Sequence, residues 1–479
     1  MRKLHYFLPV TLCALLLCSA LPLIASQPEA TIDTARSRMP ERWRYQSDYS
    51  QQIPSDDRWW QTFDDPTLDS LISVGVDRNI DIAVAARRID LARQTVRQAR
   101  AGYFPTLTAS AGWNKVRQSG NTTKYSVPAT TLDYFNLGVD MSWEIDLFGR
   151  ITAQTRQAKK KLQATRADYV ATLNSLCAQI ATTYIDLRTD QTRLAVAQSH
   201  LASQEKVLKI AQARHEAGLN SKLDVAQAST IYNTTVASIP PLQAQIEAYL
   251  SALAVLIGEY PGSLALDTRA AIPAYRQIIG VGVPMDLIRR RPDVVEAEYS
   301  LAAAASAVGI AKKDFLPTLA LTGSFGVESH KLGKLFKGRS ITYSIAPRLS
   351  WTIFDGLARN ARVASARDEM EIAIGQYNLT LMTATQEVQS AMAQYRADLQ
   401  AIDALEKVVA SAKEELDLSL DQYKQGLEGF YNVASAQITF LQEADQLAAA
   451  RGQAAAAAVT LYKALGGGWT VAGIPMPEK

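Results

Sequence analysis

The sequence is poor in most of what would brace or activate an exported protein by chemistry. It has three cysteines in 479 residues, and two of them, Cys13 and Cys18, lie in an apolar N-terminal run. Removal of that run leaves Cys177 alone, so no internal disulfide can form and packing must hold the fold. The four histidines are scattered, with His5 at the N-terminus and His200, His215 and His330 far apart. Metal sites need clustered donors, so no metal is expected. No nucleophile elbow, phosphate loop or zinc-protease pattern occurs, which leaves no candidate catalytic residue, no cofactor and no expected enzyme activity. A formal charge of +3 gives nucleic acid no claim as a partner. Beyond the first 26 residues no apolar run reaches 18 residues, so no membrane helix is expected. Any span must then be a β-barrel.

The N-terminus itself reads as a signal peptide, residues 1–26. Arg2 and Lys3 precede "FLPVTLCALLLCSALPLIAS", and Ala25 or Ser26 suits cleavage. A lipid on Cys18 would need a small residue before it, but Leu17 stands there, which disfavours lipidation.

Glycine and proline are also missing where their absence matters most. Neither occurs from Arg150 to Glu216, and from Leu357 to Lys424 only Gly375 interrupts. At 1.5 Å per residue each stretch can form a helix roughly 100 Å long. Leu173, Ile180, Leu187, Leu194, Leu201 and Leu208 recur every seven residues, and Leu381, Val388, Tyr395, Ile402, Val409 and Leu416 do so 208 positions later. Such a period means coiled-coil-like packing along the whole length.

The matching heptads belong to an internal duplication. "AGYFPTLTASAGW" from Ala101 returns as "KKDFLPTLALTGSFG" from Lys312, and "MSWEIDLFGR" from Met141 as "LSWTIFDGLAR" from Leu349. "AGLNSKLDV" returns as "QGLEGFYNV", with Gly218 matching Gly426 at the points where a helix end needs a left-handed residue. Asn220, Ser221 or Asp224 can start the returning helix of the first tip. Each repeat also holds two alternating segments. "FNLGVDMSWEI" puts Phe135, Leu137, Val139, Met141, Trp143 and Ile145 on one face, and "TYSIAPRLSWTI" behaves likewise, as do the segments from Phe104 and Leu316. These are four strands of about ten residues, long enough to cross a bilayer at a tilt. Strands alone would equally suit a soluble hairpin pair. Fibres, in turn, do not alternate with membrane-length strands.

The reading is an α+β membrane protein with four membrane strands per chain and long helical hairpins that continue the wall as a tube. Its parts are a signal peptide (1–26), an extended segment (27–57), a first repeat (58–272), a second repeat (273–468) and a tail (469–479). Four strands cannot close a barrel, and an open edge in lipid leaves backbone groups unpaired. Three copies would give twelve strands around a wet lumen lined by the polar faces.

The chain resembles the TolC-type outer membrane factors, in particular the NodT/OprM-like branch linked to resistance-nodulation-division pumps. The likeness rests on "WWQTFDDPTLDSLI" from Trp59, "NIDIAVAARRIDLARQ" from Asn79, "MDLIRRRPDVVEAEYSL" from Met285, both "PTL" strand starts and the duplicated plan. The resemblance implies a homotrimer embedded in outer membrane lipid and reaching into the periplasm of a Gram-negative bacterium. It further implies an exit duct for small molecules such as drugs or toxic compounds. They arrive from an inner-membrane pump through a periplasmic adaptor (membrane fusion protein), and the duct consumes no energy. Many members of the branch carry an N-terminal lipid. The tips, Gly218, Leu219, Asn220 and Ser221 with Gly426, Leu427, Glu428 and Gly429, would meet the adaptor. The closed end would be gated at Asp224 and Tyr423, which match the family's lock. Glu428 stands where relatives often have arginine, and Asn432 and Ser435 stand where many have carboxylates. A neutral ring predicts weak cation selection at the entrance. Asp190 and Asp398, 208 apart, are expected on the wetted inner wall, and "RRRP" (Arg289–Pro292) is expected to pair with Asp293, Glu296 or Glu298. The rival function is a passive porin-like or scaffold protein with a coiled-coil stalk, which has no need of matched tips.

Overall fold

In the computed structural model the described residues are 39–50, 58–117, 119, 130–267, 271–274, 279–286 and 290–467. The chain divides into two units, 1–40 and 41–479, and every helix and strand among the described residues belongs to the second. The expected signal peptide, Cys18, Arg289 and the C-terminal tail lie outside the described residues.

Eleven principal elements follow in order among the described residues. They are α1 (Pro66–Arg78), α2 (Ile80–Ala101), β1 (Thr106–Arg117), β2 (Thr131–Ile145), α3 (Arg150–Glu216), α4 (Lys222–Leu256), α5 (Pro292–Lys313), β3 (Thr318–Ser329), β4 (Ile341–Ser350), α6 (Ala358–Gln425) and α7 (Phe430–Ala464). The sequence α2-β1-β2-α3-α4 therefore returns as α5-β3-β4-α6-α7. Paired helices have 22 and 22, 67 and 68, and 35 and 35 residues.

Local chemistry explains the boundaries. The Asp65 carboxylate accepts the Thr67 and Leu68 N–H groups at the start of α1, where Pro66 needs no such partner. The Asp146 carboxylate does the same for Ile151 and Thr152 at the start of α3, both at 2.9 Å. Gly149 precedes α3 in the left-handed region, and its counterpart before α6 is Leu357, also left-handed at φ 71°. A Cβ is costly there, so the second repeat holds the same corner under strain.

The four strands form one antiparallel sheet in sequential order. Its register puts Thr108 opposite Asp140, Asp140 opposite Ser324 and Ser324 opposite Ser344 on one face. Val139, Phe325 and Tyr343 align on the other. β1 and β4 are the two edges, and every residue of both is exposed. The indoles of Trp143 and Trp351 donate to the carbonyls of Tyr103 and Phe315, at 3.0 and 2.9 Å, in equivalent ways.

All twelve heptad positions are buried or half-buried, so that pattern marks the inward faces of α3 and α6. The deepest packing lies around Trp59, Leu68, Ile72, Ile180, Tyr184 and Leu187, with Trp59 stacked on Tyr462 at 5.4 Å. Cys177 sits in this layer, fully buried, and burial pushes its thiol up to about 12.

Two expectations need correction, and a third is met and extended. Helix α5 is long and apolar enough to cross a membrane, with a mean hydropathy of 1.3. Alanine-rich composition raises that mean although Asp293, Glu296 and Glu298 interrupt any strictly apolar run. Within the fold α5 is a wall helix, with Val308 and Ala311 packed on Val363 and Ala366 of α6. Asp190 and Asp398 are buried, not on a wetted wall, because their register turns them toward neighbouring helices. Asp190 there accepts from Arg193 at 3.1 Å, and Asp398 from Gln394 at 2.7 Å. Arg291 pairs with Asp293 at 2.6 Å as expected, but its second carboxylate is Glu387, at 2.7 Å on α6.

Candidate functional site

The ends of α3 and α6 lie remote in sequence from the sheet, and both close in the same way. The Leu219 N–H donates to the Arg214 carbonyl at 2.8 Å and that of Gly218 to His215 at 2.9 Å. In the second tip Leu427 donates to Gln422 and Gly426 to Tyr423, both at 3.0 Å. Gly218 and Gly426 take the left-handed position, at φ 71° and 74°, which a Cβ would strain.

The restarts differ. Ser221 caps α4: its hydroxyl accepts from the Asp224 N–H at 3.4 Å and donates to the Asp224 carboxylate at 2.9 Å. Gly429 opens α7 with no side-chain cap. There the Asn432 amide donates to the Glu428 carboxylate at 2.6 Å, one turn apart. Ser435 lies exposed on the next turn.

One aromatic ring joins the tips. Tyr423 is 3% exposed, and its hydroxyl accepts from Asn220 at 3.0 Å, while the same amide donates to the Ala211 carbonyl. The Arg214 guanidinium lies 4.9 Å over the Tyr423 ring and donates to the Lys424 carbonyl at 3.1 Å. Phe430 meets Tyr423 edge-on at 5.4 Å. Val207, Ala211, Ala228, Ile231, Val433 and Ala434 complete the cluster. An aromatic pair and a stacked cation each add about 0.5–2 kcal/mol to plain burial, so the two hairpins are fastened to each other at their ends.

Outward, the tips show apolar side chains. Leu219, Leu223, Leu427 and Tyr431 are all exposed, the last two at 72%. The tip residues inferred from the sequence thus stand together at one end. Asp224 and Tyr423, however, are not joined within the chain, since Asp224 is taken by Ser221 and Tyr423 by Asn220. Sequence reasoning also missed Arg214, Phe430, Leu223 and Tyr431. Repeat symmetry carried a signal for two of them. The counterparts of Arg214 and Phe430 are Gln422 and Lys222, so each departs from its repeat partner beside a tip.

Above the tips, Arg193 binds both Asp445 carboxylate oxygens, at 2.8 and 2.9 Å, and ties α3 to α7. The bonds to Asp445 raise the Arg193 pKa, against the effect of burial. The His200 ring lies tilted against Phe440, 4.6 Å between centroids, and burial lowers its pKa.

A sheet of membrane-length strands with two tip-ended helical hairpins matches known proteins closely. The family model for outer membrane efflux proteins matches residues 71–259 and 283–467. The chain is 30% identical to nodulation protein T of Rhizobium leguminosarum bv. trifolii, over 86% of this chain and 88% of that protein. It is 31% identical to the solvent efflux pump outer membrane protein SrpC of Pseudomonas putida, over 85% and 87%. Among solved structures, the outer-membrane channel OprN superposes with a TM-score of 0.84 at 28% identity, covering 90% of this chain and 97% of that one. The open state of the Neisseria gonorrhoeae MtrE channel gives 0.81 at 27% identity, covering 90% and 96%. The chain belongs to the outer membrane efflux protein family, and it is an outer-membrane channel whose helices extend into the periplasm.

Proposed function

We propose that this chain is the exit duct of a tripartite efflux system, working as a homotrimer with a periplasmic adaptor and an inner-membrane pump of the resistance-nodulation-division type. It would be built of two repeats, 58–272 and 273–468. One observation carries the reading. A single chain holds a membrane-length sheet with both edges open and, on its long helices, two tips with exposed apolar side chains. Edges β1 and β4 call for copies of the same chain, because unpaired backbone in lipid costs several kcal/mol per group. Leu219, Leu223, Leu427 and Tyr431 call for a protein partner at the far end. The relatives' names speak of solvent, toluene and antibiotic efflux and of pyoverdine export, which supports small molecules, toxic compounds among them, as the cargo class.

Crosslinkers placed by Leu219→Cys and Leu427→Cys should capture a periplasmic adaptor, and deletion of the gene should sensitise the cell to toxic compounds. A captured partner that is no adaptor, with unchanged sensitivity, would favour a passive porin or scaffold instead. The entrance is gated by Asp224, Tyr423, Glu428, Asn432 and Ser435 in this proposal. Ser435 and Asn432 are neutral, so Ser435→Asp should raise cation selectivity in single-channel recordings, and equal selectivity would refute a neutral ring.

A further inference from the structure

The sheet carries two aromatic levels on its apolar face. Trp143 and Trp351 mark the end nearest the helices. Eight residues away on the same strand faces, Phe135 and Tyr343 mark the other end, with Trp113 opposite Phe135 and Phe325 opposite Tyr343; the two pairs are staggered by four residues across the β2–β3 ladder, where Phe135 faces Ser329 and Phe325 faces Val139. Eight residues of strand span ~26 Å along the strand, which at a tilt of about 35–45° gives about 20 Å of height, most of the apolar band between the two aromatic girdles of an outer-membrane barrel. The β3–β4 loop begins just beyond the outer level, since β4 starts at Ile341, two residues from Tyr343.

That loop is basic and ordered. Between Ser329 and Ile341 it carries His330, Lys331, Lys334, Lys337 and Arg339, and no carboxylate. Two short 3-10 turns, Leu332–Lys334 and Gly338–Ser340, shape it. Leu335 is tucked inward, and the Ser340 hydroxyl donates to the Lys334 carbonyl at 2.8 Å. All four Lys and Arg side chains are exposed, and none forms an ion pair among the described residues. The nearby carboxylate of Asp133 faces His330 at 3.8 Å and lies opposite Lys115 across the ladder. Arg117 adds a further cation at the same end of β1. Leu332 and Phe336 stand among these charges, 64% and 79% exposed.

Cations at headgroup level with apolar side chains between them fit an anionic lipid better than they fit water. We propose that this loop binds the phosphate groups of the glycolipid of the outer leaflet. Lys331, Lys334, Lys337 and Arg339 pair with the phosphates, and Leu332 and Phe336 lie against the acyl chains. Charge complementarity and continuity with the lipid-facing band select this occupant. The inference rests on the placement of the helices in the periplasm, which puts the loop at the cell surface.

The test uses the full chain, purified and stripped of lipid in detergent, with diphosphorylated lipid A as probe and dephosphorylated lipid A as control. K331Q/K334Q/K337Q/R339Q should weaken binding of the phosphorylated lipid by on the order of a hundredfold. K331R/K334R/K337R, which keeps the charge, should bind like the wild type. The loop's fold rests on Leu335 and on Ser340, which both variants keep. Equal binding by the glutamine variant, or no preference of the wild type for the phosphorylated lipid, would overturn the proposal. Orientation is read separately. Gly333 has open space around it, so G333C should be labelled by an impermeant thiol reagent on intact cells. Absence of labelling would refute the placement itself, whereas labelling with unchanged lipid binding would refute only the phosphate site.

Discussion

The two hairpin tips share a backbone and differ in chemistry. Both helices end with the same pair of hydrogen bonds and a left-handed glycine. Beyond that point the charged and amide groups are exchanged. The first tip has Asn220 and Asp224 where the second has Glu428 and Asn432, each pair four residues apart. Asn220 reaches across to Tyr423, whereas Glu428 is satisfied within its own tip, by Asn432 on the first turn of α7. The return helices differ too. α4 passes through Pro240 and Pro241, while α7 has Ala448 and Ala449 at the matching positions. Each internal proline removes a helix hydrogen bond, so the first hairpin is the more easily bent. Duplication kept the turns, and divergence made one tip the donor and the other the socket.

The socket makes the largest prediction. Tyr423→Ala removes a buried ring, a class of change that costs about 3–5 kcal/mol. His215→Ala alters the matching, exposed position in the first repeat and should stay within ~0.5 kcal/mol. Hydrogen exchange around the tips, Ala211–Asp224 and Phe430–Ala434, should accelerate on the order of a hundredfold or more in the first variant. It should change little in the second. Similar behaviour of the two variants would mean that the tips are not fastened at Tyr423.

Much of this comparison was legible in the sequence, and its limits have physical causes. The stretch free of glycine and proline from Arg150 to Glu216 coincides with α3, because only breakers end a helix so long. Alternation located all four strands, since a sheet with one apolar and one polar face imposes a period of two. The heptads found the inward faces of α3 and α6 but not their depth, so Asp190 and Asp398 were placed on a wetted wall when they are buried. Arg214 and Glu387 escaped notice because their partners lie about 210 and 96 positions away, at Tyr423 and Arg291. Periodicity records which face a residue occupies, but not what waits across from it. Leu357 also escaped, because nothing local marks a leucine as left-handed when its repeat partner is Gly149.

The smallest prediction exchanges the two helix starts. Ser221→Gly should cost a few tenths of a kcal/mol, and Gly429→Ser should gain a similar amount, since serine caps better than glycine. Gly429 sits at φ −78°, so a side chain meets no backbone penalty there. Opposite signs in hydrogen exchange across the first turns of α4 and α7 would sharpen the contrast. Equal signs would mean that capping does not distinguish the tips.

The most direct test concerns the open sheet, on which the duct depends. Cysteines at Ser110 on β1 and Ser344 on β4 would lie on the polar faces of the two edges, and Cys177 is too buried to interfere. With a short bifunctional thiol reagent in membranes, the double variant should give products of two and three linked chains and nothing larger. Each single variant should give no product of three. A series that stops at two chains, or runs beyond three, would contradict a barrel closed by three copies.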